Sequence, residues 1–234
     1  IGREFQLEML YRLTALDRNQ VIKYIDEFVG MQLLEHGPER GKVLFAHDRI
    51  QEVFYRELPG DERRRIHYQV AAALESMNQA GKERMIFEIA YHYVKSDARE
   101  KSLEYVIPAA DLAKALYANE EAIKYYQIAL EVLNEQNKQG SPEWIRINGE
   151  LAEVYLTVGK CDEAILISEA LLPFAGTRLE KARIYKKIGI AYFKKGDYLM
   201  CEEKLRFALG LLGEKTPINR QTVFLSLISN LMIH

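Results

Sequence analysis

Leu151-Ala152-Glu153-Val154-Tyr155 is matched 37 residues later by Ile188-Gly189-Ile190-Ala191-Tyr192. Gly159 and Gly196 each follow the tyrosine by four residues, and Ala164 and Cys201 follow it by nine. Two helices joined by a tight turn account for every matched position. The small residue (Ala152, Gly189) lets a second helix come close, and the aromatic fills the groove beside it. The glycine permits the turn, and the small residue on the second helix fits the crossing point. Weaker copies lie upstream. Ile89-Ala90 with Tyr93 reads as a first helix, and Glu121-Ala122 with Tyr126 and Ala129 as a second. Residues 101–117 read as one helix kinked at Pro108, and Ser141-Pro142 as a helix start. A last helix is expected from Pro217, with Val223, Phe224, Leu227, Ile228, Leu231 and Met232 apolar. It has no polar cap, so the natural protein is expected to continue, and in isolation this helix is expected to pair with a second copy.

The spacing is close to the ~34 residues of the tetratricopeptide repeat, which the pattern resembles. First helices of such stacks line an inner face. By register that face takes Arg84, Phe87 and Tyr91 from one helix, Arg146, Glu153 and Leu156 from the next, and Arg183, Lys186, Ile190, Phe193 and Lys194 from the third. Cations beside rings and aliphatic groups could hold a peptide or small anionic inducer; an ordinary solvated face is the alternative. The asparagines of the carboxylate clamp that grips chaperone tails are absent, with Glu153 and Ile190 in their places. Tyr93, Tyr126, Tyr155 and Tyr192 are expected in the core.

The first 78 residues read differently. Leu7, Met9, Leu10 and Leu13 form one apolar helical face. A second helix carries Val21, Ile22, Ile25, Phe28 and Val29, with Asn19 as N-cap and Gly30 as the glycine past its end. Met31–Glu35 and Lys42–Ala46 read as short strands around a turn at His36–Gly41. Asp48 caps a helix bearing Ile50, Val53 and Phe54, and Asp61 and Glu62 open another with Ile66, Val70, Ala73 and Leu74. Helices followed by a hairpin give a winged helix. The expected fold class is therefore mainly α: a winged-helix domain at 1–78, then a tetratricopeptide-like helical-repeat superhelix at 79–234. Residues 1–80 carry 11 basic and 13 acidic side chains, a poor balance for gripping phosphates. Direct nucleic-acid binding by the winged helix is thus the weakest of the readings.

Composition sets the outer bounds. The chain has 234 residues, 48% hydrophobic and 28% charged, with net charge −2, enough apolar content for a core and too little charge excess for dominant disorder. Two cysteines, Cys161 and Cys201, do not make a disulfide scaffold, and a cytoplasmic location is expected. No apolar run is long enough for a transmembrane helix, so no membrane partner is expected.

Several stretches together carry a more specific resemblance: Ile1–Phe5, Phe45-Ala46-His47-Asp48-Arg49-Ile50-Gln51-Glu52, Arg64 with His67, Ile89-Ala90 with His92-Tyr93, and Ala118–Ala122. Over essentially the whole chain they resemble the C-terminal half of STAND-type signalling ATPases, bacterial relatives of apoptotic and plant immune-receptor ATPases. The resemblance implies an upstream nucleotide-binding domain in the same chain, then the winged helix, then repeats that sense an inducer. The family's output domain varies: a cyclase, a kinase or a transcription activator. Ala46-His47-Asp48 is similar to the family's Met-His-Asp motif, which implies that His47 contacts the phosphate of ADP in the intact parent and holds the closed state. ATP and ADP would be cofactors of that parent and not of this fragment, which is expected not to be an enzyme. A plain tetratricopeptide scaffold for protein–protein interaction is the alternative. Gly37–Val43 imitates a phosphate loop but has the wrong spacing and lacks Ser or Thr after the lysine. His47-Asp48 lacks the further ligands of a metal phosphohydrolase. Arg63-Arg64-Arg65 is expected to be a solvated helix face, or a domain-docking one.

Overall fold

A computed structural model describes residues 3–77 and 85–214. These residues belong to two compact units, 1–111 and 112–234. The expected boundary at 78/79 lies among residues outside the described ones, as do Arg84 and the helix expected from Pro217. The units divide later than 78/79 because the helix carrying Ile89 and Tyr93 joins the first core: Met9, Val70, Ala71 and Leu74 pack with Ile89 and Tyr93.

The first unit opens with strand β1 (Glu4–Gln6) and helices α1 (Leu7–Leu13) and α2 (Arg18–Gly30). Strands β2 (Leu34–His36) and β3 (Lys42–Phe45) follow, then α3 (Asp48–Glu57), α4 (Gly60–Met77) and α5 (Ile86–Lys95). The three strands form an antiparallel sheet in the order β1-β3-β2, with Phe5 opposite Val43 and His36 also opposite Val43. Val21 and Ile25 of α2 pack on Leu34 and Val43 of the hairpin. The expected hairpin is present, although β2 starts at Leu34 and not Met31. β1 was not expected: three residues are too short to show a period.

Three end signals differ from expectation. Asp17, not Asn19, caps α2, accepting from the Gln20 amide while the Gln20 side chain returns to the Asp17 amide. That reciprocal pair satisfies two otherwise unbonded donors, which Asn19 inside the helix could not do. Gly30 is the last residue of α2, and the left-handed position is Gln32. His47, not Asp48, stands at the N-cap of α3, leaving the Asp48 carboxylate in the first turn, where the helix dipole favours it.

Helix α6 (Arg99–Ala115) runs helically through Pro108 and leads into the second unit. There α7 (Asn119–Glu135), α8 (Pro142–Thr157), α9 (Cys161–Leu171), α10 (Arg178–Lys195) and α11 (Tyr198–Leu211) pack each on the next, with a 3-10 turn at Leu172–Phe174. The expected repeat is real. α8–α9 and α10–α11 are tetratricopeptide-like hairpins, turned at Gly159 and Gly196, both left-handed at φ +78° and +80°. Tyr126 is fully buried and Tyr155 nearly so. Ser141 caps α8 ahead of Pro142, and Thr177 caps α10 in a box with Glu180. The upstream copy differs from expectation. α5 packs back on α4 and so closes a hairpin as its second helix, because Ile89, Ala90 and Tyr93 face the α4 side chains.

Candidate functional site

The repeat face expected to bind is built from α8 and α10. Periodicity puts Arg183, Lys186, Ile190 and Lys194 on one stripe of α10, opposite buried Ile188 and Gly189. The structure sorts this set into used and unused groups. Glu153 of α8 accepts hydrogen bonds from Lys114 of α6 (2.8 Å) and Lys187 of α10 (2.6 Å), and Lys114 also bonds Glu150. Burial opposes charge on Glu153, but the two lysines outweigh it and hold the carboxyl below its ordinary range. Lys194 donates to the Leu156 carbonyl near the end of α8 (2.8 Å), where the helix terminus favours a cation.

Glu153 and Lys194 are thus fasteners between helices and not free contacts, and Leu156 is buried at 9% exposure. Those three are already engaged within the protein, which the register alone did not show. Arg146 is exposed but not free of interactions. Arg183 and Lys186 are exposed and join no ion pair among the described residues, with Ile190 part-buried and Phe193 40% exposed on the same helix. Phe193 meets Tyr198 edge to face at 5.8 Å.

Phe87 and Tyr91 belong to the first unit. Tyr91 is 44% exposed, and its ring stands edge-on to His67 and His92. His67 and His92 fit a helical core pattern in the sequence, but their meeting across 25 residues was not legible. Their Nδ1 atoms lie 2.9 Å apart, and the Tyr55 hydroxyl lies 3.0 Å from His67 Nε2. Burial lowers His67 to about 4 and His92 to about 3, so both are neutral near pH 7. Beside them, Glu75 accepts from Tyr93 (2.5 Å) and Lys101 (2.8 Å). Burial works against the Glu75 charge, yet bonds from Lys101, Tyr105 and Tyr93 hold it down at about 2. Burial and the bond to Glu75 raise Tyr93 to about 12.

His47 is exposed at the start of α3, and its side chain makes no cap bond. Asp48 pairs instead with Arg3 (3.0 Å). Arg63 lies over the Tyr55 ring at 5.3 Å, Arg64 pairs with Asp61 and Asp97, and Arg65 pairs with Glu62. The arginine run is therefore mostly committed within its own unit. Cys161 and Cys201 are buried free thiols. Among the described residues there is no cluster of three or more metal-ligating side chains, and no helix is long and apolar enough to cross a membrane.

No family model matches the chain, and no curated protein matches it. Among solved structures, BtubC (BKLC) from P. vanneervenii is similar at 19% identity, covering 74% of this chain and 77% of that one with a TM-score of 0.48. A MamA crystal structure is similar at 17% identity, covering 66% and 94% with a TM-score of 0.38. Likenesses this loose carry no function across.

Proposed function

We propose that this chain is a protein-interaction scaffold whose repeat face, on α8 and α10, takes an acidic peptide segment with apolar neighbours. One observation carries the reading. Lys187 and Lys194 are spent holding α10 to α8, whereas Arg183 and Lys186 are left exposed and unpaired beside Ile190. Long cations cost ordering entropy when they bind, and a helix already fastened to its neighbour presents them on a rigid support. Guanidinium and ammonium groups would bond carboxylates while Ile190 covers an aliphatic side chain. The test is fluorescence anisotropy with an array of labelled acidic-aliphatic peptides, against neutral peptides of the same length. Acidic peptides should bind in a salt-sensitive way, and Arg183→Ala with Lys186→Ala should weaken them at least tenfold. Equal binding of both classes, or no effect of the double variant, ends the reading.

A second reading is supported by two features of the first unit. The order β1-α1-α2-β2-β3, with the sheet arranged β1-β3-β2, suits a winged helix. His47 projects from the start of α3 without a side-chain bond of its own. Both suit a regulatory module of a STAND-type ATPase, in which His47 would donate to the phosphate of ADP held by an upstream nucleotide-binding domain. An inducer on the repeats would then shift the closed state toward an open one by binding the two differently. ADP release from a longer protein carrying the ATPase should accelerate in His47→Ala. Equal release, or an upstream segment without a Walker A loop, ends this second reading.

A further inference from the structure

The first unit encloses a cavity of about 510 Å3, within the ~300–1,000 Å3 typical of small-ligand sites. Its walls are mostly rings. Phe5 meets Phe45 edge to face at 6.0 Å, Phe45 meets Phe54 at 6.5 Å, and Tyr55 and Tyr91 both stand 5.9 Å from the His67 ring. These rings are not spent on the core: Phe54, Tyr55 and Tyr91 keep 51%, 39% and 44% of their surface exposed. α3 itself buries no residue, although Ile50, Val53, Phe54 and Leu58 give it an apolar side. Exposed aromatic surface gathered around a hollow, and not scattered singly, marks a place that something fills.

Besides the Gln51 amide and the tyrosine hydroxyls, the polar groups of the cavity are a histidine pair, one cation and one anion. His67 and His92, at 6% and 4% exposure, present a hydrogen-bonded pair of rings without charge. Arg63 supplies one cation and Glu88 one anion to the lining. Arg63 lies over the Tyr55 ring and its charge disfavours protonation of His67, and neither it nor Glu88 joins an ion pair among the described residues. Arg64 and Arg65, its neighbours in sequence, are both paired. One unpaired cation and one unpaired anion on a ring-walled hollow are the complement of a molecule carrying both charges on an apolar body.

We propose that this cavity is a binding site for a free aromatic α-amino acid. Its carboxylate bonds the Arg63 guanidinium and its ammonium bonds the Glu88 carboxylate. Its ring packs among Phe45, Phe54 and Tyr91, and the uncharged histidine pair accepts or donates at the ring's polar tip. A free inorganic anion does not fit, because Glu88 repels it and the rings offer it nothing. A purely apolar ligand leaves Arg63 and Glu88 without partners. The site lies wholly in the first unit, so it stands or falls apart from the repeat face.

Isothermal titration of the full chain with L-tryptophan, L-tyrosine and L-phenylalanine tests it. At least one should bind saturably. N-acetyl-L-tryptophan, which lacks the ammonium, and L-tryptophanamide, which lacks the carboxylate, should each bind at least tenfold more weakly. Arg63→Met should reproduce the loss seen with the amide, and Glu88→Gln the loss seen with the acetyl compound. Glu88 is exposed and Arg63 only part-buried, so the variants should keep the parent's circular dichroism; the two analogues give the same answer without any variant. No saturable binding of any of the three amino acids overturns the proposal. So does equal binding of the zwitterion and its two blocked analogues, which would leave only an apolar hollow.

Discussion

The two units solve the same problem, how to hold helices side by side, with different chemistry. In the first, polar side chains meet in the interior: His67 with His92 and Tyr55, and Glu75 with Tyr93 and Lys101. In the second, the interior is mostly small and aliphatic around Tyr126 and Tyr155, and the ion pairs run through the part-exposed Glu153. The second unit's two hairpins even trade volume at one place. Gly189 faces Leu205 in α10–α11, and 37 residues earlier the corresponding positions of α8–α9 hold Ala152 and Ser168. The smaller residue on one helix thus faces the larger one on the other, leaving room for it. A polar interior demands that each group find its own partner, whereas an apolar one demands only that volumes sum correctly.

That contrast can be broken most forcefully at Tyr93. Tyr93→Ala removes a fully buried ring and also strips a donor from Glu75. We expect a loss of about 3–5 kcal/mol, as for large aromatic truncations, read as a lowered urea midpoint. Hydrogen exchange should rise first in peptides of α4 and α5. A smaller effect should come from Gly189→Ala. The added Cβ would lie 2.8 Å from Leu205 Cγ, and overpacking of about 1–3 kcal/mol outweighs the ~1 kcal/mol gained in helix propensity. Its exchange signature should stay in α10 and α11. Gly189→Ala with Leu205→Ser, which copies the α8–α9 pair, should cost less than the two single changes added; strict additivity would show that the trade is accidental.

The smallest effect near neutrality should be the acid response. Both histidines titrate lower in the folded chain than the ordinary 6.5, at about 4 and about 3. The unfolded chain therefore binds more protons between those values, and stability falls as pH drops below 6.5. Glu75, held at about 2 against 4.5, adds a second loss once pH passes below 4.5. The melting temperature should decline gently from pH 7 to 5 and steeply below. His92→Gln should flatten the upper part of that decline, and an unchanged slope would remove the histidine pair from the account.

The sequence was most readable where structure is local or repeated. The 37-residue match placed Gly159, Gly196, Ala164 and Cys201 correctly, because each serves a contact made within one hairpin. Hairpin turn chemistry likewise located β2 and β3. What escaped was pairing between distant segments. β1 joins β3 across some forty residues, and His67 meets His92 through no pattern that either helix displays alone. α5 carries a first-helix signature, Ile89-Ala90 with Tyr93, yet packs as a second helix, since small-then-aromatic spacing suits either side of a crossing. The cationic face was half legible. Register found Arg183, Lys186 and Lys194 on neighbouring turns, but only the coordinates show that Lys194 is tied to α8 while Arg183 and Lys186 join no ion pair among the described residues, and that Lys187, which register did not single out, is tied to Glu153.

The left-handed glycines at Gly159 and Gly196 make the period itself a unit of change. Each closes its hairpin using only residues nearby, so adding or deleting a whole period gives every helix a neighbour of the kind it already had. Inserting two or three residues within a helix would instead rotate its apolar stripe away from the next helix, at about 100° per residue. In this half of the molecule, length is therefore free to vary in steps of a hairpin and held fixed at any finer scale.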